Sequence, residues 1–250
     1  MSTIVIPPPK PTPGGGGADL GALVLETIDL STGWQLVDSG GLIKSVAFDS
    51  GTGENTITFN ALGSGNAVYN WKNSSTKSGP RWYRDAAIGG TNLVRTDAFT
   101  GLFLLDVNDT VRDAKLDFIC GVARDANQTL VSNILFGGAI CSLFSTSNPS
   151  NAAYGVYSYS AATSAGTSGP NKGLITMLFG ADKVGGGVSY PLNASGLATN
   201  ISTRSSSQSL TGGTSLHQMV AVGAYSNTST IPQDAVLKIT CKYAFIKPVI

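Results

Sequence analysis

The sequence predicts an all-β protein, an antiparallel β-sandwich of jelly-roll-like form with an extended N-terminal arm. Apolar residues recur with period two from about residue 22 onward, the spacing that places alternate side chains on one face of a strand. Turns rich in glycine, serine and asparagine separate the apolar segments, where a βαβ fold would have amphipathic helices. A proline run and a glycine run precede the first segment. We therefore expect an arm over residues 1–21 and one β-sandwich domain over residues 22–250.

The arm joins a stiff segment to a flexible one. Its prolines favour an extended polyproline II path, and Gly14–Gly17 provide a free joint. The short apolar run before the prolines can add a strand to the sheet edge of a partner, because main-chain pairing supplies affinity there. The predicted partner-binding residues are Ile4, Val5, Ile6, Pro7, Pro8, Pro9, Pro11 and Pro13.

The predicted strands are short and regularly spaced. Val236–Ile246 is the clearest, because apolar residues at its odd positions alternate with lysine and threonine. Ala114–Asp125 and Thr56–Ala61 also have one apolar and one polar face. More than eight strands favour a double-sheet jelly roll. The others are Ala22–Ile28, Trp34–Asp38, Leu42–Asp49, Ala67–Trp71, Arg81–Asp85, Leu93–Thr96, Gly101–Val107, Leu130–Phe136, Tyr154–Tyr159, Leu174–Phe179 and Leu216–Tyr225.

Small and polar residues dominate two tracts, Ser145–Pro170 and Asn193–Ser215, which we expect to be long loops. Such loops are either plain solvated connections or contacts to a ligand or neighbouring subunit. Glycines at 137–138 and 185–187 lie in β context, where they indicate turns or bulges.

Composition excludes several classes of partner. Charged residues make up 12% of the chain and the formal net charge is +1, without a basic run, so no nucleic-acid partner is expected. No apolar run approaches the ~18 residues of a membrane span, and no secretory signal is recognisable. Cys120, Cys141 and Cys241 are odd in number and widely spaced, which predicts buried reduced thiols and a reducing compartment.

Candidate catalytic chemistry is sparse. His217 is the only histidine, and it shares a predicted strand face with Met219 and Ala221, which favours a structural or interface role. The acidic segment from Asp106 to Asp117 lacks the glycine and glutamate of an EF-hand, so turn and surface roles are expected there. No GxSxG, P-loop, CxxC or HExxH motif occurs. We expect no enzyme activity, catalytic residue, metal or cofactor.

An aromatic and basic group is the best candidate for ligand recognition. Trp82, Tyr83 and Arg84 combine flat apolar rings with a hydrogen-bonding cation, which suits the CH face and hydroxyls of a sugar. Tyr69 and Trp71 belong to the same aromatic group. Packing in the sandwich core is the alternative use of these rings.

A low-charge β body rich in glycine, serine and threonine, reduced cysteines and a linking arm together resemble the virion proteins of bacteriophages in general style. This resemblance implies a non-enzymatic structural subunit, a capsid decoration or cement protein or a part of a tail or fibre. It also implies assembly in the host cytoplasm, docking of the arm on other virion proteins, and a homo-oligomer such as a trimer.

Two further functions remain open on the sequence. One is a carbohydrate-binding adhesion module of a phage tail or fibre that binds a host surface glycan through Trp82, Tyr83 and Arg84. The other is a polysaccharide-degrading enzyme, which would need two acids at a separation that sequence spacing does not give.

Overall fold

The computed structural model describes residues 24–63, 80–112, 116–123, 136–143, 152–158, 167–169, 172–180, 183–192, 202–204, 208–209, 215–224 and 230–247. Within these residues all regular structure is β. The strands are β1 (Glu26–Thr27), β2 (Gln35–Val37), β3 (Ile43–Asp49), β4 (Glu54–Phe59), β5 (Arg81–Asp85), β6 (Ala87–Ile88), β7 (Thr91–Asn92), β8 (Phe99–Arg112), β9 (Leu116–Ala123), β10 (Phe136–Leu143), β11 (Ala152–Ser158), β12 (Thr167–Gly169), β13 (Lys172–Gly180), β14 (Lys183–Leu192), β15 (Ser202–Arg204), β16 (Gln208–Ser209), β17 (His217–Ala224) and β18 (Val236–Ile246).

Two antiparallel sheets form the sandwich, which confirms the predicted all-β, jelly-roll-like class. Sheet A has the order β15-β14-β13-β8-β18-β4-β3, with β1 beside β18 and β16 beside β14. Sheet B has the order β12-β11-β10-β9-β17-β5-β2, and β10 and β11 pack against β13 and β14 of sheet A. Some neighbouring strands therefore come from distant parts of the chain: β18 lies between β8 and β4, and β17 separates β5 from β9.

The core lies between the two sheets. β18 contributes Leu237, Ile239 and Cys241 from its odd positions, as the alternation predicts. Facing them, β9 and β17 contribute even positions, among them Phe118 and Val220. Burial of these alternating side chains is the main favourable term in forming the sandwich, at ~25 cal/mol per Å² of apolar surface.

A buried amide joins the first described segment to sheet A. Asn55 of β4 is fully buried, and its Oδ1 accepts a hydrogen bond from Leu30 N at 2.9 Å. Its Nδ2 donates to Ile28 O at 2.8 Å. Both ends of the amide are thus satisfied, and the chain around β1 is fixed against β4 and β18.

Several predicted strands have the observed bounds or nearly so. Arg81–Asp85 and Val236–Ile246 coincide with β5 and β18, and Leu42–Asp49 differs from β3 by one residue. The predicted arm, with Ile4 to Pro13, and the predicted strand Ala67–Trp71 lie outside the described residues, so they stay predictions.

Three predictions about local structure are wrong in part. Leu93–Thr96 is no strand, because the chain turns there, with Asp97 N donating to Val94 O at 2.9 Å. Strands occur in both polar tracts, β11 and β12 in the first and β15 and β16 in the second, since main-chain pairing needs no apolar side chain. Of these, β11 confirms the predicted strand Tyr154–Tyr159 to within two residues at each end.

The two glycine runs differ in their strand pairing. Gly137 and Gly138 lie in a regular ladder of β10, opposite Val122 and Gly121 of β9, so neither a turn nor a bulge is present there. In contrast, the register of β14 against β13 shifts beside Gly185, where two glycines oppose one residue, which is the predicted irregularity.

All three cysteines are buried and free of disulfides, as predicted. The thiol of Cys241 on sheet A lies beside that of Cys120 on sheet B, so the pair spans the two layers. Burial, and then the neighbouring thiol, raises the pKa of Cys241 well above its usual value. These thiols are therefore unreactive core groups in the folded protein.

Candidate functional site

The predicted trio of ligand-binding residues is divided between the two faces of sheet B. Consecutive residues of a strand point to opposite faces, so Trp82 and Arg84 of β5 face the interior of the sandwich while Tyr83 faces outward. The indole of Trp82 is 2% exposed and belongs to the core. Only Tyr83 and Arg84 are partly accessible, and they serve two different side-chain groups.

Five residues form the first group, the outer-face group: Gln35, Tyr83, Asp85 and His217 on the outer face of sheet B, and Asn92 of β7 beside them. The Tyr83 hydroxyl donates to Gln35 Oε1 at 2.7 Å, and these residues are direct partners in the pairing of β5 with β2. The Tyr83 ring also meets the His217 ring edge to face, with centroids 6.2 Å apart. Tyr83 is therefore fixed from both sides.

A carboxylate lies beside this ring. Asp85 and His217 are direct partners in the pairing of β5 with β17, and His217 Nδ1 lies 3.2 Å from Asp85 Oδ1. The other carboxylate oxygen accepts a long hydrogen bond, 3.4 Å, from Asn92 Nδ2. Asp85 is 61% exposed and His217 is 20% exposed, so the carboxylate is the solvent-facing member of the pair.

The second group, the inter-sheet group, lies between the sheets and comprises Glu26, Trp34, Arg84, Gln218 and Tyr243. Arg84 Nε donates to Gln218 Oε1 at 2.9 Å, and Arg84 Nη2 donates to the Tyr243 hydroxyl at 2.7 Å. The guanidinium carbon lies 4.5 Å from the centroid of the Trp34 ring and 5.5 Å from that of Tyr243. Arg84 is thus held by two hydrogen bonds and two aromatic rings.

The Tyr243 hydroxyl connects the cation of this group to its anion, because it accepts from Arg84 and donates to Glu26 Oε2. Burial, followed by the hydrogen bond to the Glu26 carboxylate, raises the pKa of Tyr243 well above its usual value of 10.0. Tyr243 therefore stays protonated over the whole physiological range and acts only as a hydrogen-bonding bridge.

His217 lies beside the Asp85 carboxylate and packs on the Tyr83 ring, and its predicted structural or interface role stays a prediction. Asp106 of the acidic segment forms a surface ion pair with Lys172, with 3.1 Å between Oδ2 and Nζ. Within the part of the chain that the structure describes, no cluster of three or more metal-ligating side chains occurs, and no helix long and apolar enough to span a membrane is found.

Sequence reasoning missed most partners in both groups. Gln35 lies 48 residues from Tyr83, and Gln218 lies 134 residues from Arg84, so only the strand order brings each pair together. Alternation along Arg81–Asp85 was the available signal that Tyr83 and Arg84 serve different faces. Tyr69 and Trp71, the other members of the predicted aromatic group, lie outside the described residues.

No protein-family model and no curated protein matches this chain. The solved structures that match it include the VIP36 exoplasmic/lumenal domain in a Ca²⁺/Man3GlcNAc-bound form, at 10% identity and a TM-score of 0.39, covering 87% of this chain and 84% of that one. Another is the CBM2 module of the evolved Dit of Lactobacillus casei BL23 phage J-1, at 11% identity, TM-score 0.37, and coverage of 90% and 98%. A third is alginate lyase A1-II′ of polysaccharide lyase family 7, at 9%, 0.36, and coverage of 83% and 85%. Because these identities and TM-scores are low, the assignment of a site rests on the geometry of this chain alone.

Proposed function

We propose that this protein is a non-enzymatic carbohydrate-binding adhesion module, and that the outer-face group is its sugar-binding site. The observation that carries the proposal is the position of Asp85, a largely exposed carboxylate, two residues along β5 from the outward-facing ring of Tyr83. An aromatic face beside a carboxylate and two amides suits the CH face and hydroxyls of a pyranose ring.

Each component has a chemical task in this proposal. A sugar presents an apolar CH face, which packs on an aromatic ring, and hydroxyls, which donate to carboxylates and exchange hydrogen bonds with amides. Tyr83 supplies the ring, Asp85 accepts from adjacent hydroxyls, and Asn92 supplies an amide within 3.4 Å of that carboxylate. Binding of a charged acceptor to hydroxyl donors is stronger than a neutral hydrogen bond.

The group is also preorganised. β5 lies between β2 and β17 in sheet B, and the core side chain Trp82 anchors it from behind. The Tyr83 hydroxyl and ring are held by Gln35 and His217, so little side-chain entropy is lost when a ligand binds.

Glycan arrays followed by titration of the best oligosaccharide test the proposal. Tyr83→Ala removes the stacking face, and Asp85→Asn removes the charge while keeping the shape; each is expected to weaken binding at least about tenfold. Leu178→Thr, an exposed position on the other sheet, is the matched control and should bind as the unchanged protein does. If Tyr83→Ala and Asp85→Asn both bound the oligosaccharide as tightly as the unchanged protein does, the proposed site would be wrong. Release of reducing ends from a bound glycan would show that the protein is an enzyme and not a non-enzymatic binding module.

A second candidate function rests on the arm sequence. A subunit of a phage particle, a capsid decoration protein or a tail or fibre part, would use the short apolar run Ile4–Ile6 as an added strand and the prolines as a spacer. Removal of residues 1–17 should leave a folded body that no longer enters particles. Particles that incorporate the truncated chain at the normal level would rule out the arm as the docking element, whatever the result of the glycan titration.

A further inference from the structure

Arg84 in the inter-sheet group is more constrained than a structural ion pair needs. Its Nε and Nη2 atoms each donate a hydrogen bond, to Gln218 and Tyr243, and its guanidinium plane lies against the Trp34 ring. The side chain is only half-buried, so it keeps access to solvent. A guanidinium fixed in this way is preorganised for a ligand that approaches its remaining N–H groups.

Two buried donors beside Arg84 have no hydrogen-bond acceptor among the described residues. Gln218 is 1% exposed, and because its Oε1 accepts from Arg84, its Nε2 is the atom left without a partner. The buried indole Nε1 of Trp34 is in the same position. Buried polar groups are normally satisfied, so we expect an acceptor from outside this set of residues, either a water or a ligand.

We propose that the inter-sheet group is a binding site for a carboxylate, independent of the sugar site on the outer face. The unsatisfied atoms are N–H groups, and both belong to side chains in direct contact with a guanidinium. A carboxylate only accepts hydrogen bonds, whereas a water molecule or a sugar hydroxyl also needs an acceptor for its own proton. A carboxylate also gains charge-assisted hydrogen bonds from arginine.

Glu26 sets the affinity of this site. Its carboxylate is engaged by the Tyr243 hydroxyl, which itself accepts from Arg84, so one negative charge already lies near the guanidinium. A bound carboxylate is repelled by that charge, and the repulsion is reduced by exposure to solvent. Removal of the Glu26 charge is therefore expected to strengthen the binding of a carboxylate ligand.

Nuclear magnetic resonance of the full chain provides the test. The sequence contains 3 tryptophans, so the indole signal of Trp34 can be assigned with Trp34→Phe and followed together with the side-chain amide of Gln218. Acetate, glucuronate and glucose are titrated to about 50 mM at constant ionic strength, which detects binding as weak as millimolar. Saturable shifts of both signals with acetate and glucuronate support the site. Tighter binding of glucuronate than of acetate would identify an acidic sugar as the source of the carboxylate, and equal binding a small free acid.

Variants separate a binding site from a purely structural cluster. Glu26→Gln is expected to tighten glucuronate binding about threefold, and more so at low salt. Arg84→Lys should weaken it about tenfold, because lysine lacks the planar fork. Leu178→Thr, an exposed position on β13 outside both groups, should leave it unchanged. Equal shifts with glucose, no shift with either acid, or unchanged affinity in Glu26→Gln would each overturn the proposal.

Discussion

Arg84 on sheet B donates from Nη2 to the hydroxyl of Tyr243 on sheet A across 2.7 Å, so one hydrogen bond joins the two layers of the sandwich. Glu26 accepts from the same hydroxyl, and Glu26 and Tyr243 are also direct partners in the pairing of β1 with β18. The contact therefore links three strands, and the hydroxyl is its central atom.

Removal of that hydroxyl should be costly for its size. In Tyr243→Phe, Arg84 Nη2 loses its acceptor and Glu26 loses its donor, while the aromatic packing is kept. We expect a loss of about 1–3 kcal/mol in the free energy of unfolding, measured by urea denaturation. Tyr83→Phe, which loses the more exposed hydrogen bond to Gln35, is the matched control and should lose less. Equal losses would show that the hydroxyl of Tyr243 does not join the sheets energetically.

Trp82 and Tyr83 are neighbours in sequence with opposite roles, and truncation should distinguish them. Trp82→Ala removes a 2% exposed core side chain and is expected to cost about 3–5 kcal/mol in the free energy of unfolding, through lost burial and a cavity. Tyr83→Ala should cost much less, since its ring is only partly buried. The check is chemical denaturation of both variants. A Trp82→Ala protein as stable as the unchanged one would place this ring outside the core.

The contrast between Trp82 and Tyr83 shows which features of the fold the sequence predicts and which it does not. Period two predicts β18, because the residues from Leu237 to Tyr243 alternate apolar and polar positions and apolar residues flank them. The sequence pattern suggested Trp82, Tyr83 and Arg84 as one contiguous group, whereas the strand divides them between two faces. Alternation was available from the sequence; the neighbours of β5 were not, because strand order depends on which distant edges meet during folding.

β14 was not among the predicted strands, and the reason is unrelated to strand order. Gly185–Gly187 carry no side chains, so no alternation is visible where the strand is irregular. Main-chain hydrogen bonds to β13 form this strand, and they leave no signature in the side chains. Both groups at the candidate sites likewise depend on long-range pairing, as the bond from Arg84 to Gln218 illustrates.

Asp97 should make the stability depend on pH in acid. The hydrogen bond from Val94 N lowers the pKa of Asp97 below its usual value of 3.8, and the Lys247 side chain lowers it further, against a smaller opposing effect of burial. A pKa lower in the folded state means that the folded state favours the carboxylate. Its stabilisation is therefore complete above about pH 4 and is lost as pH falls through the folded value.

The measurement for Asp97 is urea denaturation at pH 7 and at about pH 2.5. Asp97→Ala should be less stable than the unchanged protein at pH 7, and the difference should shrink at low pH, because protonation removes the carboxylate form that the folded state favours. Asp97→Asn keeps an acceptor for Val94 N and isolates the contribution of charge. A difference that is the same at both pH values would exclude the ionised carboxylate as the source of stability.

Gly101 of β8 allows aromatic rings to pack where any side chain would collide. A Cβ at this position would lie 2.9 Å from ring atoms of both Phe103 and Phe179, and the Phe179 ring is itself stacked on Phe99 with centroids 4.5 Å apart. Because the rings are buried and in mutual contact, they can yield little, and Gly101→Ala is expected to cost about 1–3 kcal/mol in the free energy of unfolding. Gly63→Ala is the control, since a Cβ there meets nothing within 4 Å, and its effect should stay within about 0.5 kcal/mol. Thermal and chemical denaturation of the two variants measure the difference, and equal stability would mean that the aromatic cluster rearranges without cost.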